Sequence, residues 1–184
     1  MTSLLITLTP DELFNKSILE YVHNLKLNTN KNIQVHWYPF QEYRITLNFT
    51  SQIEPEQLNE LITMLETTMG NVGEVSSNLE TIGYFPNDNG KILVAYIEAG
   101  SRFKSLQLKI SNFLGEVGFD KDLKVYRPHM TLARYKNLKD VPQELYQIEV
   151  PLKGNYKSID LLEVTYKKKK RKFKVIKCIK LKVK

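Results

Sequence analysis

Two segments of the chain repeat one short pattern, and this repeat constrains the fold more than any other feature of the sequence. In each segment a basic residue is followed by an apolar residue, a threonine and a leucine, as Arg44-Ile45-Thr46-Leu47 and as His129-Met130-Thr131-Leu132. The two threonines stand 85 residues apart, which is close to half of the 184-residue chain. Since residues i and i+2 of a β-strand share a face, each threonine projects together with the basic residue before it. The repeat predicts two pseudo-symmetric lobes whose motif strands meet across a central cleft.

The remaining elements predict an α+β fold in which antiparallel sheets carry outer helices and flank that cleft. Thr9 is a candidate N-cap for the first of three helices, and apolar spacing places them at residues 10–26, at 55–69 and from Ser101 onward. β-prone runs and turn signals predict strands at residues 3–8, 33–38, 43–49, 74–85, 91–97, 124–135, 145–152, 158–167 and 173–183. Without a linker or a composition break, residues 1–184 are predicted to form a single bilobal domain.

The charge of the chain is concentrated at one end. The 27 Lys and Arg against 20 Asp and Glu give a formal charge of +7, but residues 157–184 alone carry +10 and residues 1–156 carry −3. A run of six cations, from Lys167 to Lys172, lies between two predicted strands. It is interpreted as a solvated hairpin tip, as an RNA-backbone contact or as a nuclear-localisation-like patch. The RNA interpretation makes substrate-binding candidates of Lys168, Lys169, Lys170 and Arg171.

Composition excludes several classes of protein. One cysteine excludes a disulfide scaffold and a cysteine-based zinc site, and three scattered histidines predict neither a metal nor another cofactor. The apolar run at the N-terminus is too short for a signal peptide, and no stretch is long enough to span a membrane. We therefore expect a soluble, cytoplasmic protein that is a monomer by default, with no obligate protein partner evident.

The paired basic and hydroxyl side chains predict a phosphate site at the cleft. Guanidinium and imidazole groups neutralise phosphate charge, and threonine hydroxyls donate hydrogen bonds to its oxygens. Arg127 shares the face of His129 and is a candidate for a backbone phosphate, while Tyr43 is a candidate for stacking on a base. Simpler alternatives are a structural role for His129, a solvated Arg127 and a core position for Tyr43.

At the second motif the sequence resembles the 2H phosphoesterase superfamily, particularly the branch of 2′-5′ RNA ligases, or RNA 2′,3′-cyclic phosphodiesterases. The string that carries the resemblance is Pro128-His129-Met130-Thr131-Leu132-Ala133-Arg134, supported by Trp37-Tyr38-Pro39 ahead of the first motif. The resemblance implies RNA ends or small nucleotides with a 2′,3′-cyclic phosphate as substrates, which are opened to the 2′-phosphate. It also implies His129 as general base, with Thr46 and Thr131 holding the phosphate. Arg44 is either a further phosphate ligand or a drifted position with no role. Ligase activity on tRNA halves is a weaker implication of the family name.

The first motif departs from the family at its key position, because Arg44 stands where the family has a second catalytic histidine. Arginine keeps its proton at physiological pH, so it stabilises a phosphate but does not shuttle protons. His36 is the nearby candidate for the vacant role. A turn at residues 39–42 pairs Trp37 with Arg44 and points His36 to the core, whereas a slip of one residue pairs His36 with Thr46 and turns it into the cleft. A catalytically inactive relative that binds RNA or a nucleotide is therefore the alternative function.

Overall fold

The computed structural model describes residues 2–70, 72–87, 90–119, 126–142, 152–167 and 170–181. Within these residues the chain forms eight strands and three α-helices. The strands are β1 (Thr2–Pro10), β2 (Val35–Trp37), β3 (Ile45–Ile53), β4 (Val75–Phe85), β5 (Ile92–Glu98), β6 (His129–Tyr135), β7 (Leu152–Lys167) and β8 (Lys170–Lys180). The helices are α1 (Glu12–Asn28), α2 (Pro55–Met64, continued by a π turn at Leu65–Met69) and α3 (Ser101–Glu116), with 3₁₀ turns at Phe40–Glu42 and Leu138–Asp140.

One antiparallel sheet contains all eight strands, in the order β1-β3-β6-β5-β4-β7-β8, with β2 beside β6. The long strand β7 joins two halves of this sheet. Its first part, Leu152–Tyr156, pairs with β4, whereas its second part pairs with both β1 and β8. The other junction is between β3 and β6, where Ile45 pairs with Met130. The predicted α+β class and antiparallel sheets are confirmed, and the two lobes are halves of one continuous sheet.

The hydrophobic core lies on one face of the sheet, under the three helices. Each helix contributes an apolar stripe to it, for example Phe14, Ile18, Val22 and Leu25 of α1. Alternate residues of the strands, such as Leu4, Ile6 and Leu8 of β1, are fully buried against them. The opposite face carries no helix of the described chain, and we call it the open face.

Several boundaries differ from the sequence predictions. The N-cap of α1 is Asp11, whose side chain accepts from the backbone N–H of Phe14 at 2.8 Å, because β1 continues through Pro10 before the helix begins. Strand β7 is one strand from Leu152 onward, while residues 145–151 of the predicted strand 145–152 lie outside the described residues. Strand β6 begins at His129 rather than at residue 124, and residues 120–125 are also outside the described part. No described helix is long and apolar enough to cross a membrane.

Candidate active site

The two motif strands meet at one antiparallel contact. Ile45 of β3 pairs with Met130 of β6, and both are completely buried in the core. Because side chains alternate across a strand, their neighbours project to the open face, on two strands that run about 5 Å apart at this point. Those neighbours are the four half-buried residues Arg44, Thr46, His129 and Thr131. The pairing of the motif strands therefore follows the prediction from the repeat.

The His129 ring is held from three sides. Its Nδ1 lies 2.8 Å from the carbonyl oxygen of Arg127, the Phe85 ring stacks on it with centroids 4.3 Å apart, and the Tyr96 ring meets it edge-on at 6.4 Å. A carbonyl oxygen only accepts hydrogen bonds, so Nδ1 carries the proton and Nε2 keeps its lone pair. Burial lowers the pKa of His129; the Arg127 carbonyl raises it, and the charge of Arg127 lowers it further. The ring is therefore a neutral base at neutral pH.

Tyr96 positions Arg127 next to this histidine. The Tyr96 hydroxyl donates to the carbonyl of Tyr84 at 2.7 Å, and its ring lies so close over Gly83 that a Cβ there would be 2.7 Å from Cε2 of the tyrosine. The Arg127 guanidinium lies 4.8 Å from the centroid of the same ring. Sequence reasoning identified Arg127 but missed Phe85, Tyr96 and Gly83, because nothing in their local sequence shows that they converge on His129.

Arg44 has quite different surroundings. Its Nη2 donates to the carbonyl of Gln41 at 2.9 Å and its Nε to that of Glu42 at 3.3 Å, so the guanidinium is tied to the 3₁₀ turn before its own strand. It also lies 4.9 Å from the centroid of the Phe173 ring. Burial lowers the pKa of Arg44, while Glu42 and Asp160 raise it. An arginine remains charged at neutral pH under these influences, so it can attract a phosphate but not donate a proton.

Phe173 places the β7–β8 hairpin on the open face. It packs there with Leu5, Leu162 and Val164, apart from the main core, and the Arg171 guanidinium lies 5.4 Å from its ring centroid. Arg44 and Arg171 thus share one aromatic ring. Of the proposed RNA contacts in this hairpin, Lys168 and Lys169 lie outside the described residues, Lys170 begins β8, and Arg171 is exposed.

The proposed stacking role of Tyr43 is wrong. Only 1% of this residue is exposed, because Tyr43 alternates with Arg44 and faces the core together with Ile45 and Leu47. Burial also raises the pKa of its hydroxyl to about 12. No ring face is left for a base.

The pairing of Trp37 with Arg44 and the one-residue slip that would pair His36 with Thr46 are both wrong. Strand β2 pairs with β6 instead of β3, which sets His36 opposite Arg134, at the far end of β6 from His129. The exposed imidazole of His36 lies against Tyr38, with ring centroids 5.0 Å apart. The structure therefore separates His36 from the four motif side chains.

Comparison with known proteins places these residues in context. The family model of the 2′-5′ RNA ligase superfamily matches residues 38–165, more than half of the chain. The protein TT0787 of Thermus thermophilus is 20% identical, with a TM-score of 0.76 over 100% of this chain and 99% of its own. A crystal structure of a phosphoesterase is 10% identical (TM-score 0.77), and Escherichia coli LigT complexed with 3′-AMP is 11% identical (TM-score 0.75), each over 98% of both chains.

Proposed function

Because the chain belongs to the 2′-5′ RNA ligase superfamily, we propose that it opens 2′,3′-cyclic phosphates on RNA ends or small nucleotides to 2′-phosphates. The observation that carries the proposal is the state of His129, a neutral imidazole whose Nε2 is free to accept a proton. The motif pairing puts Thr46 and Thr131 on the same face as His129, and Arg44 at the edge of that face, as candidate phosphate ligands. Nucleotides are also bound by a protein of the same fold, since LigT was crystallised with 3′-AMP, NADP+ and ATP.

The proposed reaction is a hydrolysis in which the protein supplies the base and the phosphate ligands. Nε2 of His129 takes a proton from water as the water oxygen bonds to phosphorus, and the bond from phosphorus to the 3′ oxygen breaks. The threonine hydroxyls of Thr46 and Thr131 donate to the non-bridging oxygens, and Arg44 and Arg127 neutralise their charge. No step requires a metal ion.

Arg44 changes the second proton transfer. A general acid at this position would protonate the 3′ oxygen as it leaves, but an arginine holds its proton too tightly to do so. The leaving oxygen therefore takes its proton from solvent in this proposal. Since a positioned acid typically contributes ~10²–10⁴-fold, we expect slow turnover relative to an enzyme with two histidines.

The direct test uses an oligonucleotide that ends in a 2′,3′-cyclic phosphate, incubated with purified protein in EDTA. We expect a 2′-phosphate product, identified by its chromatographic separation from the 3′-phosphate isomer. The variant H129A should lose the activity, and H23A, which removes an exposed histidine of α1, should retain it. Absence of turnover, or turnover that survives in H129A, contradicts the proposal.

A second candidate function is binding of RNA or a nucleotide without catalysis. It is favoured by one observation, that the Arg44 guanidinium rests on Phe173 of the basic hairpin instead of standing free at the phosphate site. This candidate predicts salt-sensitive RNA binding that is lost when Lys167–Lys172 are neutralised and the fold is intact. RNA binding that changes neither with salt concentration nor on neutralisation of these residues argues against this candidate.

A further inference from the structure

A second cationic surface lies at the far end of β6, away from the hairpin. It is a shallow groove of about 740 Å³ between β2, β6 and the start of β5. Among the described residues that line it are Lys91, Arg134, Lys136 and His36, all exposed, and none of its lining residues is acidic. The Lys91 ammonium donates to the carbonyl of Lys136 at 3.4 Å, which keeps these two cations together.

An irregularity in β6 connects the groove with the candidate active site. Thr131 pairs with Val94 and Ala133 with Leu93, so Leu132 is an extra residue in β6. Such a bulge inverts the alternation of side chains beyond it. Leu132 and Ala133 are both fully buried, and Arg134 turns back to the open face that holds Thr131. Simple alternation from His129 would have pointed Arg134 into the core.

Aromatic rings lie between the two sites. The backbone N–H of Tyr38 donates to the carbonyl of Leu132 at 3.0 Å, which fixes Tyr38 beside the bulge. Its half-buried ring contacts the ring of His36, which in turn lies opposite Arg134. Along β6 the motif side chains are thus followed by the Tyr38 ring beside Leu132, and then by the groove, where the His36 ring lies among the cations.

We propose that this path holds the upstream nucleotides of a single-stranded RNA whose 3′ end occupies the site at His129. Bases stack on Tyr38 and His36, and backbone phosphates lie at Lys91, Arg134 and Lys136. Stacking rings that alternate with cations are the general means by which proteins hold single strands without reading sequence. At ~3.3 Å per strand residue, Arg134 is about 17 Å from His129 along β6, a distance that a mononucleotide does not span.

This inference rests on the proposed function and specifies its substrate class, an oligonucleotide rather than a free cyclic nucleotide. It also assigns the strand to the β6 side of the site. The β7–β8 hairpin is the other cationic surface. It lies on the β3 side of the two motif strands, because β1 pairs with β3 on one edge and with β7 on the other. The two paths can therefore be separated by mutation.

The experiment measures binding of a fluorescent RNA hexanucleotide with a 3′-phosphate, by anisotropy over a range of salt concentrations. Three double variants each remove two charges: K91Q/K136Q in the groove, R171Q/K172Q in the hairpin, and K104Q/K109Q on exposed positions of α3 as the control. Thermal unfolding verifies that each variant is folded. Competition by a mononucleoside 3′-phosphate measures the affinity of the active site alone, because this ligand has no upstream nucleotides to contact the groove.

We expect K91Q/K136Q to weaken hexanucleotide binding about tenfold and to reduce the salt slope by ~1.4, since each single-strand phosphate contact contributes ~0.7. K104Q/K109Q should bind as the wild type does, and the mononucleotide should bind more weakly than the hexanucleotide. Equal binding by K91Q/K136Q and the control overturns the proposal. The proposal is also overturned if only R171Q/K172Q loses the preference for the hexanucleotide over the mononucleotide. That result would place the RNA on the hairpin.

Cyclic-phosphate turnover distinguishes this inference from the proposed function. If hexanucleotide and mononucleotide cyclic phosphates are hydrolysed with equal kcat/KM, the function stands and the β6 path is wrong. If neither is hydrolysed, the phosphodiesterase proposal fails, and the anisotropy measurements still decide whether the groove holds RNA.

Discussion

The two motif strands share a backbone arrangement but differ in what surrounds the leading side chain. On β6, the His129 ring is stacked by Phe85 and bonded through Nδ1 to a carbonyl, so one nitrogen is left free for chemistry. On β3, the Arg44 guanidinium uses its donors on the carbonyls of Gln41 and Glu42 and rests on Phe173. The comparison shows that the two paired strands present different chemistry at the leading side chain. One carries a neutral imidazole with an unbonded Nε2, and the other a guanidinium with a fixed positive charge.

Alanine substitutions at the two positions test this asymmetry with the largest expected effect. H129A removes the base and should reduce kcat by ~10²–10⁴-fold. R44A removes only a charge that is already bonded to the protein, and we expect a loss of less than ~10-fold. Single-turnover kinetics on a cyclic-phosphate oligonucleotide measure both. Equal losses in the two variants would show that Arg44 is as essential as His129.

Restoring a histidine at position 44 should reduce the asymmetry. R44H introduces a group that can protonate the leaving oxygen, and we expect kcat to rise by up to ~10²-fold. R44K is the matched control and should show no rise, because a lysine keeps the positive charge but does not titrate near neutral pH as a histidine does. An unchanged rate in R44H would mean that solvent protonation does not limit the reaction.

The pH profile is a further test of the same pair. Burial lowers the pKa of His129, and the base must be neutral to act. Wild-type kcat/KM should therefore rise with pH through a pKa below the usual value for histidine and then stay level. Arg44 remains protonated throughout, so no falling limb is expected near neutrality. In R44H the acid must be protonated, which should add a falling limb and give a bell. A bell in the wild type would reveal an acid other than Arg44.

A smaller effect is expected from a substitution that displaces the Tyr96 ring, which lies beside His129 and under Arg127. In G83A the new Cβ would lie 2.7 Å from Tyr96 Cε2, so the Tyr96 ring must move, and Arg127 with it. We expect kcat/KM to fall ~10-fold, because small displacements of catalytic groups are costly. G100A is the control, since a Cβ there meets nothing within 4 Å. Equal activity in both variants would exclude a positioning role for Tyr96.

The smallest effect concerns the ring that holds Arg44. A double-mutant cycle with R44A and F173A should give a coupling of ~0.5–1 kcal/mol in the free energy of unfolding, the usual size for a cation–π contact that is partly exposed. Urea unfolding measures all four species. V175A, at an exposed position of β8, replaces F173A in the control cycle and should show no coupling to R44A. Zero coupling for Phe173 would mean that its ring does not restrain the guanidinium.

Local sequence patterns made much of the fold predictable. The three helices, the strand order along the chain and the meeting of the motif strands follow from apolar spacing, capping residues and the repeat. Pairing between distant strands was less accessible: β2 was expected beside β3 but lies against β6, because strand partners depend on contacts that the local pattern does not encode. Tyr43 is a different case, because its alternation with Arg44 is a local pattern that by itself places Tyr43 on the core face.

The sequence by itself determined which side chains stand at the crossing of β3 and β6, since period-two alternation puts Arg44, Thr46, His129 and Thr131 on one face. It also determined that Arg44 cannot act as a proton donor. Only the tertiary structure decided the burial that lowers the pKa of His129, because the neighbouring rings of Phe85 and Tyr96 come from β4 and β5. It likewise decided that the bulge at Leu132 returns Arg134 to the open face. Both depend on packing between strands distant in sequence, where burial and hydrogen-bond geometry set the chemistry of a residue.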